Sequence, residues 1–180
     1  MIKLLILDID GVMTDGTKLY GLDGLTMGKR YCDRDFTAIK QFKAAGVQVC
    51  FLSGDDKVNE AMAKNRKTDF YYSRGREKID YLSEFTETYN CSIEEMAYVG
   101  DDIFDIPIME RVGYSYCPVD VPQVVKDASS WVLSRKCGDN VIADLYEKLV
   151  ELGLVGYSTL EDIKELDKSM DLNKLSEVKS

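Results

Sequence analysis

Lys3-Leu4-Leu5-Ile6-Leu7-Asp8-Ile9-Asp10-Gly11-Val12-Met13-Thr14-Asp15-Gly16 is the stretch on which the fold of this chain turns. The apolar run from Leu4 to Leu7 predicts a strand buried on both faces. Two carboxylates two residues apart follow at its carboxyl end, ahead of a glycine turn. Side chains alternate along extended chain, so Asp8 and Asp10 fall beside one mouth of a sheet. Such a pair can attack phosphorus and manage a proton together.

Downstream, strands and helices alternate. Residues 17–32 predict a hairpin whose tip is Leu22-Asp23-Gly24, inserted after the first strand. Asp33 or Asp35 is then placed to cap a helix that ends at Gly46. Strands are expected at 47–52, 70–72, 96–99, 113–117 and 130–134, and helices near 56–66, 76–90, 104–111, 122–127 and 139–152. This rhythm predicts an α/β fold: a Rossmann-like, doubly wound, mostly parallel sheet with helices on both faces and ligands outside the carboxyl strand ends. One domain over 1–152 is expected. Residues 153–180 read as a charged tail or peripheral helix, with a capping box at Ser158-Thr159-Leu160-Glu161.

The chain has 180 residues, 45% hydrophobic and 31% charged, enough for one real core. Its net charge of −9 argues against general nucleic-acid binding. An acidic protein that handles phosphates needs a local cation or a metal. There is no histidine, which excludes histidine phosphatases, Ser-His-Asp hydrolases and His-ligated zinc enzymes. The five cysteines are scattered with no CxxC pair, which fits reduced thiols and a cytoplasmic protein rather than a disulfide framework. Neither a signal peptide nor a membrane span is predicted.

Three strand ends carry chemistry to the same mouth: Asp8 and Asp10, Ser53-Gly54, and Asp101-Asp102. Lys78, opening a helix after Gly75-Arg76, supplies a cation. An EF-hand reading of Asp8-Ile9-Asp10-Gly11 fails because Val12 and Leu19 stand where the loop needs ligands.

This order of motifs, with DIDGVMTDG and GDDIFDIPIMERVG, resembles the haloacid dehalogenase superfamily over nearly all of residues 3–150. Within it the chain is similar to the capless phosphatases of 3-deoxy-ulosonate phosphates. The resemblance implies Asp8 as nucleophile and Asp10 as acid and base. It also implies Mg²⁺ held by Asp8, the Asp10 carbonyl and Asp101, with Asp102 and Asp105 in support. Gly11, Ser53, Gly54 and Lys78 would hold the phosphoryl group. Arg34, Asp35, Asp55 and Arg66 are candidates for contacts to the sugar acid. KDO 8-phosphate is the expected substrate and KDN 9-phosphate the next, in a homotetramer whose hairpins and closing loops complete neighbouring sites.

The chain departs from the pattern at three places. Ser53-Gly54-Asp55 stands where Thr-Gly-Arg or Thr-Gly-Glu is usual. Phe36 and Ala38 replace two glycines, and Ala143 replaces the closing-loop arginine. These keep open an alternative, a catalytically weak assembly module like the phosphatase-like domain of CMP-sialate synthetases. The complete core set, Asp8, Asp10, Ser53, Lys78 and Asp101, favours an enzyme.

Overall fold

The computed structural model describes residues 1–177, the side chains of 171–177 excepted. Its strands are β1 (Leu4–Leu7), β2 (Leu19–Tyr20), β3 (Thr26–Gly28), β4 (Gln48–Ser53), β5 (Asp69–Tyr72), β6 (Met96–Val99), β7 (Tyr114–Cys117) and β8 (Trp131–Val132). The helices are α1 (Asp33–Ala44), α2 (Lys57–Asn65), α3 (Leu82–Tyr89), α4 (Ile106–Met109), α5 (Gln123–Ala128), α6 (Val141–Glu151) and α7 (Leu160–Glu177). Six strands form one sheet in the order β5-β4-β1-β6-β7-β8, every pairing parallel. The remaining two, β2 and β3, make the expected antiparallel hairpin.

A parallel sheet must be covered on both faces, and β1 shows how. Leu5 and Leu7 pack with Phe36, Ile39 and Phe42 of α1 and with Ile142, Leu145 and Leu149 of α6. Leu4 and Ile6 face the other way, toward Leu82 and Phe85 of α3, Ile108 of α4 and Val125 of α5. All four β1 side chains are fully buried, each worth about 1.5–3 kcal/mol of transfer free energy. The chain leaves β1 for β4 on one side while β6 returns on the other. Their carboxyl ends therefore open a crevice beside Asp8, where ligands enter such sheets.

Several element ends differ from expectation for local reasons. The N-cap of α1 is Cys32, with no side-chain cap. Asp35 instead turns inward, its Oδ1 accepting from the N–H groups of Ile142 (2.9 Å) and Ala143 (3.1 Å) at the start of α6. That helix begins at Asn140 in the left-handed region, without a side-chain cap of its own, so its first donors need an acceptor from elsewhere. The Ser158–Glu161 capping box is likewise replaced. Thr159 and Asp162 exchange the capping bonds (2.7 and 3.3 Å), while Ser158 Oγ donates to the Gln41 carbonyl. A single helix over 104–111 is not formed. A 3₁₀ turn at Ile103–Asp105 precedes the short α4 because Asp102 and Asp105 cap that turn reciprocally.

Helix α7 lies against α1, where Lys40 pairs with Asp167 at 2.8 Å. Residues 178–180 of the expected tail lie outside the described residues. No helix among the described residues is long and apolar enough to cross a membrane.

Burial of Asp35 has a measurable consequence. Enclosure raises its carboxyl to about 6 against the three N–H groups of Ala143, Ile142 and Val141 that pull it down. A folded-state value above the unfolded one means that its stabilisation is complete below about pH 4 and is lost as pH rises through 6. Asp35→Asn keeps the acceptor and removes the ionisation. Thermal melts are expected to favour the variant increasingly over wild type between pH 5 and 7.5, by up to about 3 kcal/mol. A pH-independent difference would contradict this reading of Asp35.

Candidate active site

Asp8 leaves β1 with its N–H bonded to the Val99 carbonyl of β6, 3.0 Å away, which seats the carboxylate between the two strand ends. The side chain is almost fully buried. Lys78 reaches it from the turn before α3, Nζ 2.9 Å from Asp8 Oδ1. The same ammonium donates to Asp105 Oδ1 and to Tyr98 Oη (3.1 Å). Burial pulls the Lys78 ammonium down, but the Asp8 and Asp105 charges outweigh it and hold the proton firmly.

Asp105 is spent on structure. Its Oδ1 accepts from Lys78 and from Tyr98 Oη (2.6 Å), and its Oδ2 accepts from the N–H groups of Asp101 (2.8 Å) and Asp102 (3.0 Å). It therefore fixes the turn that aims Asp101. Asp102 bends back to accept from the Ile103 N–H. Asp101 keeps one oxygen open: its Oδ1 is buried without a hydrogen-bond partner. Burial first, then the charges of Asp8 and Asp105, raises the Asp101 carboxyl well above its ordinary range. Burial also raises Asp8, with Lys78 opposing and Asp105 adding to the rise.

Oxygens of Asp8, Asp101 and Asp105 lie within 4.8 Å of one another. Three crowded carboxylates share one ammonium, and one buried oxygen is unpartnered. Hard oxygen donors short of positive charge fit a divalent cation such as Mg²⁺. Since Asp105 is saturated by its own hydrogen bonds, Asp8 and Asp101 are the side chains free to hold it.

On the other side of the crevice Ser53, at the end of β4, is fixed by hydrogen bonds. Its Oγ accepts from Asn59 Nδ2 (3.0 Å) and from the Asp55 N–H (3.3 Å). With both lone pairs taken, the hydroxyl proton is left to donate into the cleft. Asp10 is held by residues absent from the expected set. Lys29, immediately after β3, has a fully enclosed side chain with Nζ 2.7 Å from Asp10 Oδ1 and 2.9 Å from Oδ2. Asn59 Nδ2 adds a bond to Asp10 Oδ2 at 3.0 Å. The one sequence signal for Lys29 is charge balance, since the acidic mouth needs more cations than Lys78 supplies. Nothing in the sequence marks Asn59.

Asp8, Asp10, Ser53, Gly54, Asp55, Lys78, Asp101, Asp102 and Asp105 thus share one cleft of about 1120 Å³, walled by Tyr20 and Leu25 of the hairpin and by Phe104. Four expected residues do not join it. Gly11 turns its N–H to Thr14 Oγ1 (3.4 Å); with φ at +93°, it provides room, because a Cβ there would overlap the Asp101 carboxylate. Asp35 is consumed in capping α6, as described. Arg34 is exposed on α1. Arg66 stacks its guanidinium 3.9 Å from the Phe36 ring centre and pairs with Asp33 (3.4 Å), in a separate groove between α1, α2 and α7. Within the cleft, Asp55 is already paired with Lys18 (2.9 Å) and Lys29 (2.7 Å). Ala143, at the start of α6, supplies only its backbone to Asp35.

Comparison with known proteins places the fold in a family. The sequence profile of haloacid dehalogenase-like hydrolases matches residues 57–145. The 3-deoxy-D-manno-octulosonate 8-phosphate phosphatase KdsC of Haemophilus influenzae is 30% identical over 154 residues, covering 83% of each chain. KdsC of Yersinia pestis is 29% identical over 150 residues, covering 83% of this chain and 80% of its own. The cobalt-bound structure of the phosphatase YrbI from Haemophilus influenzae superposes with a TM-score of 0.79 at 30% identity, over 83% of this chain and 88% of that one. Identity at this level over most of both chains makes the protein a phosphatase of the haloacid dehalogenase-like hydrolases, in the 3-deoxy-D-manno-octulosonate 8-phosphate phosphatase family.

Proposed function

We propose that the chain hydrolyses a 3-deoxy-ulosonate phosphate, KDO 8-phosphate ahead of KDN 9-phosphate, through an aspartyl phosphate on Asp8. The observation that carries this reading is the meeting of Asp8, Lys78 and Asp101 on one side of a cleft with Asp10 and Ser53 on the other. The choice of an eight-carbon sugar acid rests on the two KdsC relatives.

Asp8 Oδ attacks phosphorus while the bond from phosphorus to the sugar oxygen breaks. Asp10 gives a proton to that oxygen. Asp10 then takes a proton from water, whose oxygen attacks phosphorus and breaks the bond to Asp8, releasing phosphate. Ser53 donates its free O–H to a phosphoryl oxygen, and Lys78 holds positive charge beside the reacting group. Asp8, the Asp10 carbonyl and Asp101 would hold Mg²⁺, which when bound offsets the repulsion between carboxylate nucleophile and anionic ester. Large apolar side chains stand out on the hairpin, Leu19, Tyr20, Leu22 and Met27 among them. They support a homotetramer in which copies cover one another's hairpins.

A kinetic screen of phosphate esters checks this reading. Turnover of KDO 8-phosphate is expected to exceed that of hexose and pentose phosphates, to vanish in EDTA, and to return with Mg²⁺; light scattering on the same sample should give four copies. Preference for an unrelated ester would remove the substrate assignment, and full activity in EDTA would remove the metal.

A further inference from the structure

We infer that Lys29 is a positioning residue for the leaving-group step, acting through Asp10. Its three ammonium hydrogens are all committed: to Asp10 (2.9 Å to Oδ2), to Asp55 Oδ2 (2.7 Å) and to Asn59 Oδ1 (2.9 Å). None is left for a phosphoryl oxygen, and the side chain is closed to solvent. The role of Lys29 is therefore to hold, not to bind substrate.

What it holds is a bracket with two ends. Lys29 and Asn59 Nδ2 grip the Asp10 carboxylate from two directions. The orientation of Asn59 is itself fixed, because its Oδ1 accepts from Lys29 and from Tyr31 Oη (3.0 Å) while its Nδ2 donates to Asp10 and Ser53. All four hydrogen-bonding positions of this buried amide are used. One lysine thus orients Asp10 directly and, through Asn59, a second time.

Lys29 belongs to the hairpin insertion, whereas Asp10 and Ser53 sit at strand ends of the sheet. Asp55 anchors the second contact and also takes Lys18 from the other arm of the hairpin. Both arms are thereby tied to the loop after β4, and the bracket reaches Asp10 only while the hairpin stays tied. Displacing an acid by a fraction of an ångström matters most where the leaving oxygen needs a proton. A phenolate leaves without help.

The inference rests on the reading of Asp10 as acid, and leaving groups separate the two. Two esters are compared, p-nitrophenyl phosphate and the alkyl phosphate turned over fastest in the screen. Lys29→Met is expected to lower kcat/KM, which reports the transfer to Asp8 and not the later hydrolysis, for the alkyl ester by roughly 10- to 100-fold and for the aryl ester by less than about threefold. In an Asp10→Asn background, Lys29→Met should cost nothing further for either ester. Lys29→Arg keeps the charge but not the three-way geometry, and should show the same selectivity more weakly; it carries the test if the methionine variant does not fold. Equal losses on both esters, or losses that multiply with Asp10→Asn, would overturn the role of Lys29. Equal losses in kcat/KM from Asp10→Asn alone would overturn the acid reading and this inference with it.

Discussion

Asp8→Asn is expected to abolish turnover while leaving the fold at least as stable as wild type. The amide cannot form the acyl phosphate, so kcat should fall by roughly 10⁴- to 10⁶-fold, the range for removal of a nucleophile. The stability side follows from burial. The Asp8 carboxyl is raised by its enclosure, with Asp105 adding to the rise and Lys78 only partly offsetting it. A group held protonated in the fold loses stabilisation as pH rises through its folded-state value, so ionised Asp8 weakens the metal-free protein near neutrality. Removing that charge relieves Asp101 as well. Melts in EDTA at pH 7.5 should place the variant level with or above wild type. A variant that melts well below wild type would mean that the Asp8 charge is stabilising and that the carboxylate crowding has been misjudged.

Lys78→Met should do the opposite, losing stability and activity together. The lysine side chain is 11% exposed and touches Asp8 and Asp105, which are 8% and 1% exposed. Deleting one partner of a buried ion pair leaves uncompensated charge and costs about 3–5 kcal/mol. For a domain of this size that corresponds to a fall in Tm of roughly 6–20 °C. Loss of a fixed cation at the reacting phosphoryl group should lower kcat by about 10²- to 10³-fold. Excess Mg²⁺ should recover part of the stability, because it neutralises the same carboxylates, but not the rate. A Tm within a few degrees of wild type would show that the three carboxylates do not depend on Lys78.

The contrast between these two variants also explains which parts of the site were legible in the sequence. Asp8, Ser53 and Asp101 announce themselves because each follows an apolar strand, and parallel strands from one sheet deliver their carboxyl ends to one side. The sheet was readable for the same reason: Leu4 to Leu7 and Val49 to Leu52 are continuous apolar runs, buried on both faces. Lys78 followed from its place between those signals. Contacts made across long separations leave no such trace. Lys29 and Asn59 are 30 positions apart and meet only because the hairpin folds back over α2. Asp35 looked like a local cap or a sugar contact, and instead caps a helix that begins more than a hundred residues later. Arg66 and Arg34 were plausible by charge alone, but α1 and α2 place them away from the cleft. Gly11 reads as a phosphate-binding backbone, but its N–H faces Thr14 and the position serves to leave space for the Asp101 carboxylate.

A covalent phosphoryl group on Asp8 is the most direct test of the mechanism. Wild-type and Asp10→Asn proteins are mixed with p-nitrophenyl phosphate, whose phenolate leaves without a proton, and Mg²⁺, quenched in acid within one turnover, digested and analysed by mass spectrometry. The peptide holding Asp8 should carry the mass of one phosphoryl group, in greater amount in Asp10→Asn, where water is no longer activated, and not at all in Asp8→Asn. Phosphate released within that turnover with an unmodified Asp8 peptide in both proteins would contradict the account, and would mean that water attacks the substrate directly.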